Sequence, residues 1–381
     1  MSCQRGKCIN VSHLRVIFAG GGTGGHLFPA IAIADEIRNL YPYAEIAFIG
    51  TKSKIEARVV PQNGFQFYPI WISGYHRNFR ISNVLFPIKV IVSFMQAVSI
   101  IKKFNPDVVV GTGGYVSGPA LRAATLLKIP TLIQEQNSYP GVTTRMLAKK
   151  VDEVHLTFED SRKHFTGLQN IFVTGNPTRR SLENVIRSDA LHYFGFDDSE
   201  TGKTILVFGG SLGAHTLNNA VLMNIDSLLK NNIRLIWQTG KEEIRQAETI
   251  VKKYSSKNIW VCDFIDRMDY AYAASDLVIC RAGATTIAEL TNIGKPAILV
   301  PYPHAAANHQ AENAKSLVKS GAVEIVYDHE VGDKLLTAVS NLLGDTNLRS
   351  MSDRSKKLGK PNASKEIAKR VEQLSKRHGR A

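Results

Sequence analysis

Short runs of aliphatic and β-branched residues alternate with helix-length segments along the whole chain. In the first half, apolar runs stand at 14–19, 45–49, 107–110, 130–134 and 171–174, and a helical pattern fills 29–40. The pattern restarts at 204–208 and continues at 234–238, 259–262, 277–280, 297–300 and 323–326. Strands that read as unbroken apolar runs, separated by helices, predict parallel sheets covered on both faces. The chain is therefore expected to form two doubly wound α/β units in tandem, joined between residues 176 and 198. The domains are assigned as 1–178 and 179–360, with a helix over 361–381 packing back on the first. From Arg354 onward that tail reads as helical and basic, with ten Lys/Arg against Glu366 and Glu372.

Length agrees with two cores, since 381 residues exceed what one core usually holds. Composition changes the picture through charge alone. The net charge of +14 points to anionic partners, namely phosphorylated metabolites, nucleic acid or an anionic membrane. Cys3, Cys8, Cys262 and Cys280 are too scattered for a disulfide framework or a zinc site, so reduced thiols are expected. Residues 1–12 are polar and basic, and the apolar run after them stops at glycines, so no signal peptide is expected. The longest apolar stretch, 84–101, is interrupted by Pro87, Lys89, Ser93, Gln96 and Ser99, which makes it a poor membrane span.

Three glycine-marked segments join a strand to a helix: Gly20–His26, Gly209–Ala214 and Arg281–Glu289. Glycine lets the backbone approach a ligand closely. The free N–H groups of the following helix then face that ligand, with about half a positive charge from the helix dipole. Three such ends imply a phosphate-rich ligand. Gly20, Gly22 and Gly25 also satisfy the spacing of a dinucleotide fold. A dehydrogenase, however, needs an acidic residue at the end of the second strand. Here that strand runs into Gly50-Thr51-Lys52, and Glu45 stands at its start. No Gly-Lys-Ser/Thr follows any segment, which excludes a Walker loop.

Six segments in order carry a more specific likeness: 21–29, 113–119, 135–137, 175–177, 209–214 and 283–289. Together they resemble the MurG family, the N-acetylglucosaminyltransferases that make lipid II, over about residues 15–360. The one departure is Pro119-Ala120, where the family has a second glycine. The resemblance implies α/β architecture of the GT-B glycosyltransferase type, with two facing Rossmann-type doubly wound domains and a deep interdomain cleft. It implies UDP-N-acetylglucosamine as donor and lipid I as undecaprenyl-diphosphate-linked acceptor; no cofactor is expected, and the residues themselves offer no metal-ligand cluster. It leaves cell-wall synthesis enzymes as candidate protein partners.

Carried over residue by residue, Glu289 would hold the ribose hydroxyls, and Ile265 would meet the uracil through its backbone. Ser211 and Arg179, with Arg180 as the alternative, would contact the diphosphate. Asn137, Gln310, Ala284 and Thr285 would surround the sugar, within a binding segment that continues through Thr286, Ile287 and Ala288. Thr23, Gly24 and Gly25 would close over the phosphates. The implied reaction inverts the anomeric centre through an oxocarbenium-like transition state. It needs a base for the acceptor hydroxyl, and His26 is the candidate because imidazole titrates near neutrality. Glu135 is the second candidate. The plainer alternatives are that His26 only ties loops together, Asn137 is a turn residue and Glu289 faces solvent. No Asp-x-Asp stands at a strand end, and Asp197-Asp198 is read as loop.

One feature stands apart from the likeness. No Asp or Glu occurs from Ala57 to Pro106, a stretch holding Trp71, Ile72, Tyr75, His76, Arg77, Phe79, Arg80, Leu85, Phe86 and Lys89. Aromatic and aliphatic side chains mixed with basic ones suit an anionic membrane surface, the plainer alternative being a solvated loop. With the lipid-linked acceptor that the resemblance implies, a peripheral protein on the cytoplasmic face of the inner membrane is expected. The rivals are an NAD-dependent dehydrogenase and a nucleic-acid-binding protein, the latter supported by charge alone.

Overall fold

The computed structural model describes residues 13–74, 85–178, 182, 185–197, 202–210, 212–254 and 256–377. The chain divides into two compact units: 1–136 with 140–177 and 362–381, and 137–139 with 178–361.

The first unit is a seven-stranded parallel sheet. Its strands are β1 (Arg15–Gly20), β2 (Glu45–Gly50), β3 (Gln66–Pro69), β4 (Val108–Gly113), β5 (Thr131–Glu135), β6 (Glu153–Leu156) and β7 (Ile171–Val173). They lie in the order β3-β2-β1-β4-β5-β6-β7. The second unit has six parallel strands: β8 (Thr204–Phe208), β9 (Arg234–Gln238), β10 (Ile259–Cys262), β11 (Leu277–Cys280), β12 (Ala297–Leu299) and β13 (Val323–Ile325). Their order is β10-β9-β8-β11-β12-β13. Strand order reverses beside β1 in one sheet and beside β8 in the other. Ligands of doubly wound sheets bind outside the strands' carboxyl ends at such reversals, and two of the glycine segments start there.

All six strands expected in the second half are present. In the first half two were missed. Strand β3 (Gln-Phe-Tyr-Pro) is a half-buried sheet edge ending in proline, so it lacks an apolar run. Strand β6 buries Glu153 and His155, which break the apolar pattern. The first helix also begins earlier than expected, spanning Gly24–Leu40 with Pro29 inside it. Proline favours a first turn, which suggested a later start; instead the glycine loop runs straight into the helix.

Two apolar clusters cover the first sheet. One gathers Ile17, Ile49, Val109 and Ile133, the other Phe18, Phe48, Val110 and Leu132. The alternation of neighbours between clusters is what a pleated strand buried on both faces requires. The final helix, Ala363–Arg377, joins the second cluster through Ile367, Ala368, Val371 and Leu374. That spacing makes one apolar stripe. Its polar side is pinned by Arg370, whose Nε donates to Glu153 Oε2 at 3.0 Å, and His155 Nε2 lies 3.0 Å from the same oxygen.

The acid-free stretch divides. Tyr75, His76, Arg77, Phe79 and Arg80 lie outside the described residues. Ile72 is buried in the core and offers nothing to a membrane, contrary to expectation. Helix Phe86–Phe104 buries Ser93, Ala97, Ile101 and Phe104 and leaves Ile88, Ile91 and Met95 exposed, with Leu85 and Trp71 exposed nearby in sequence. Lys89 Nζ donates to Ser73 Oγ at 3.0 Å. No described helix is long and apolar enough to cross a membrane.

Candidate functional site

In the first unit, β1 ends in Gly20 and the next helix begins at Gly24. Thr23 Oγ1 lies 3.2 Å from His26 Nδ1. The imidazole packs against the glycine pair that ends β4 and opens the following helix. A Cβ on Gly113 would stand 2.7 Å from His26 Cδ2, and one on Gly114 would stand 2.5 Å from the Gly21 carbonyl. These two glycines, both at positive φ, are what admit the ring. Thr23 and Gly25 are exposed, and His26 and Gly24 half-buried, so a ligand can reach all four.

Glu135, the second candidate base, is 3% exposed. Its Oε2 accepts the Gly141 N–H at 3.0 Å and the Thr144 hydroxyl at 2.6 Å. A carboxylate so engaged ties down the loop at 141.

Asn137 sits elsewhere than its place in the sequence suggested. Assigned to the domain 1–178, it packs with the second unit. Asn313, fully buried on helix His309–Val318, accomplishes this. Its Oδ1 accepts the Ser138 N–H at 2.8 Å and the Ser138 hydroxyl at 3.0 Å. Its Nδ2 donates to Asn137 Oδ1 at 3.3 Å and Ala282 O at 3.4 Å. Asn137 is thereby held beside the third glycine segment. No local signal in the sequence marks Asn313, because its partners lie 31 to 176 residues away.

The second unit contains a cavity of about 590 Å³. Its wall gathers Gly209, Gly210 and Gly213 from the second glycine segment, Gly283 and Thr286 from the third, and Gln310. Helices His215–Lys230 and Ala284–Ile293 start at this lining, neither with a side-chain cap on its first N–H groups. Gln310 Oε1 accepts the Tyr302 N–H at 3.0 Å. Arg281 is braced by Thr216, which receives its Nη2 at 3.0 Å, and by Asp328, which also takes the Thr216 hydroxyl at 2.6 Å. Thr216, Tyr302 and Asp328 carried no sequence signal, standing outside every glycine segment.

Along the third segment, Ala284, Ile287 and Ala288 are buried and Thr285 Oγ1 is buried without a hydrogen-bond partner among the described residues. Glu289 Oε2 accepts the Tyr272 hydroxyl at 3.0 Å, so it does not simply face solvent. Ile265 is 3% exposed and its N–H is taken by Gln238 Oε1 at 2.9 Å. Ser211, Arg179 and Arg180 lie outside the described residues. Among the described residues no His/Cys/Asp/Glu group is placed to hold a metal ion. Burial, with the Glu289 charge adding to it, drives the Cys280 thiol far above its usual range, so it is inert.

Comparison with known proteins follows the same division. Residues 16–156 match the N-terminal domain of glycosyltransferase family 28, and 204–371 match its C-terminal domain. A Prosthecochloris aestuarii protein is 46% identical over 368 residues, covering 95% of this chain and 99% of its own. Its name is UDP-N-acetylglucosamine–N-acetylmuramyl-(pentapeptide) pyrophosphoryl-undecaprenol N-acetylglucosamine transferase. The chain belongs to this N-acetylglucosaminyltransferase family. A second member, from Porphyromonas gingivalis, is 43% identical and covers 97% of each chain. Among solved structures, MurG of Acinetobacter baumannii superposes with a TM-score of 0.73 at 28% identity, covering 94% of this chain and 99% of that one. The calicheamicin glycosyltransferase CalG4 shares the fold, with a TM-score of 0.70 at 13% identity over 97% of this chain and 100% of that one. Family membership disposes of the dehydrogenase and nucleic-acid readings.

Proposed function

We propose that the protein transfers N-acetylglucosamine from UDP-N-acetylglucosamine to lipid I, with inversion at the anomeric carbon, forming lipid II for bacterial peptidoglycan. The observation that carries this reading is the second-unit cavity, where two uncapped helix N-termini and Gln310 share one wall. Such an arrangement suits a diphosphate, whose charge the helix ends stabilise both when bound and as it departs. Glu289 then accepts the ribose hydroxyls. The carbonyl of Ile265 reads the uracil, since its N–H is committed to Gln238. Asn137, Ala284, Thr285 and Gln310 surround the sugar, while Ser211 and Arg179 or Arg180 meet the diphosphate. Thr23, Gly24 and Gly25 contribute from the first unit. His26 takes the proton of the acceptor hydroxyl, its ring oriented by Thr23.

The acceptor is lipid-linked, so the protein works at a membrane. The exposed apolar side chains of helix Phe86–Phe104 and the absence of acid between 57 and 106 favour peripheral docking of the first unit on anionic lipid, from the cytoplasmic side. The test of the donor assignment is a screen of UDP-sugars with a muramyl-diphosphate-lipid acceptor. Transfer from UDP-N-acetylglucosamine and little from UDP-glucose supports it; equal transfer from both contradicts it.

A further inference from the structure

The glycine loop of the first unit is built around a carboxylate that the sequence did not single out. Glu56 opens helix Glu56–Gln62 and is 1% exposed. Its Oε2 accepts the Gly22 N–H at 3.0 Å. Its Oε1 accepts the Thr51 N–H at 3.0 Å and the Thr51 hydroxyl at 2.7 Å. Two glycines owe their identity to it: a Cβ on Gly21 would stand 2.6 Å from the Glu56 carboxyl carbon, and one on Gly50 2.6 Å from its Cγ. Tyr115 lies against Gly22, where a Cβ would come within 3.2 Å of the ring. Burial pushes the Tyr115 phenol up, and the Glu56 charge adds to that shift. The loop is thus clamped between a buried anion and an aromatic ring.

Consecutive glycines leave a backbone with many conformations to lose. A charged acceptor on the Gly22 amide selects one of them, and bonds to an ionised group are the stronger kind. Thr23 follows directly, with its hydroxyl on His26. We propose that Glu56 is a positioning residue for the transfer reaction: its carboxylate fixes the glycine loop and, through Thr23, the orientation of His26. The proposal rests on the assignment of His26 as general base.

The test is Glu56→Gln, which keeps the size but turns one acceptor oxygen into a donor, so that either Gly22 or Thr51 loses its partner. Turnover should fall about 10- to 100-fold, the scale of a ~1 Å misplacement. Affinity for UDP-N-acetylglucosamine, read by calorimetry, should fall by much less than turnover, because of the proposed donor contacts only Thr23, Gly24 and Gly25 lie on this loop and the rest belong to the second unit. In the His26→Ala background the same substitution should cost no more than about threefold further, since the two act through one group. Thr51→Val, which removes one donor to the carboxylate and leaves the glycine amide paired, should give the same pattern at smaller size if Glu56→Gln does not fold. Turnover of Glu56→Gln close to wild type, donor affinity lost in step with turnover, or an undiminished loss in the His26→Ala background would each overturn the proposal. Full activity of His26→Ala alone removes the base assignment and with it the route through His26; a loss of turnover in Glu56→Gln would then show that the loop, and not the imidazole, is what the carboxylate positions.

Discussion

Asn313→Leu is the perturbation that isolates the placement of Asn137. Leucine fills a similar volume at a fully buried position but offers no polar atom. Ser138 N–H and hydroxyl lose their acceptor, while Asn137 Oδ1 and Ala282 O lose a donor. Stranding a buried donor costs about 1–3 kcal/mol. A hydroxyl is free to rotate and the 3.4 Å bond to Ala282 is weak, so the Ser138 amide and Asn137 carry most of the loss. Roughly 3 kcal/mol in total weakens the hold on 137–139 by about 100-fold. If Asn137 touches the sugar, the loss falls on the sugar-bearing ligand alone. Calorimetry should show UDP-N-acetylglucosamine binding weakened by about tenfold or more while UDP binding changes little, because the loss is confined to groups around the sugar. Equal weakening of both ligands, with the melting temperature lowered in parallel, would refute this reasoning and make Asn313 a purely structural residue.

Four further outcomes follow from the site and its surroundings. Glu289→Ala should weaken UDP binding by about 1–3 kcal/mol, the cost of stranding its hydrogen-bond partners, and an unchanged calorimetric affinity removes Glu289 from the site. His26→Ala should lower turnover about 10²–10⁴-fold at nearly constant donor affinity, the usual worth of general acid–base catalysis; near-wild-type turnover moves the base elsewhere. The C-terminal helix should loosen in acid. Burial lowers the His155 imidazole below 6.5; burial raises the Glu153 carboxyl, but bonds from His155 and Arg370 outweigh this and leave it below 4.5. Both groups bind protons more readily when unfolded, so their stabilisation is intact above about pH 6.5 and drains as pH falls. Hydrogen exchange over 363–377 should quicken between pH 7 and 4, after correction for intrinsic rates, and unchanged protection would contradict the linkage. Finally, Ile88→Glu with Ile91→Glu and Met95→Glu should reduce sedimentation with anionic vesicles while the circular dichroism spectrum is preserved. Undiminished sedimentation of that variant places the lipid contact elsewhere.

What the sequence disclosed and what it hid have separable causes. Strands β8, β10, β11 and β12 were legible because each is a largely apolar run between helices, as a sheet covered on both faces demands, and β9 and β13 because apolar residues dominate around Arg234, Gln238 and Glu324. Strand β6 was hidden because Glu153 and His155 occupy core positions, where Glu153 is satisfied by Arg370, 217 residues away, and His155 by Glu153 and Thr174. The glycine segments were legible because strand–glycine–helix is a local pattern with a local physical reason. The groups that hold those segments were not: Glu56 reaches Gly22 across 34 residues, and Asn313 reaches Ala282 across 31. A carboxylate or amide whose partners are backbone groups of a distant loop leaves no spacing to read. Asn137 shows the limit plainly, since the chain up to 136 and from 140 belongs to one unit while its hydrogen bond from Asn313 lies in the other.

The central claim is sugar transfer onto a lipid-linked muramyl acceptor, and acceptor dependence tests it most directly. With UDP-N-acetylglucosamine held fixed, UDP release should be measured with lipid I, with undecaprenyl phosphate and with no acceptor, and the lipid product analysed by mass and anomeric configuration. The account predicts rapid UDP release with lipid I alone and a single β-linked N-acetylglucosaminyl product. UDP release that is equal with and without lipid I, or a product retaining the α configuration of the donor, would contradict it.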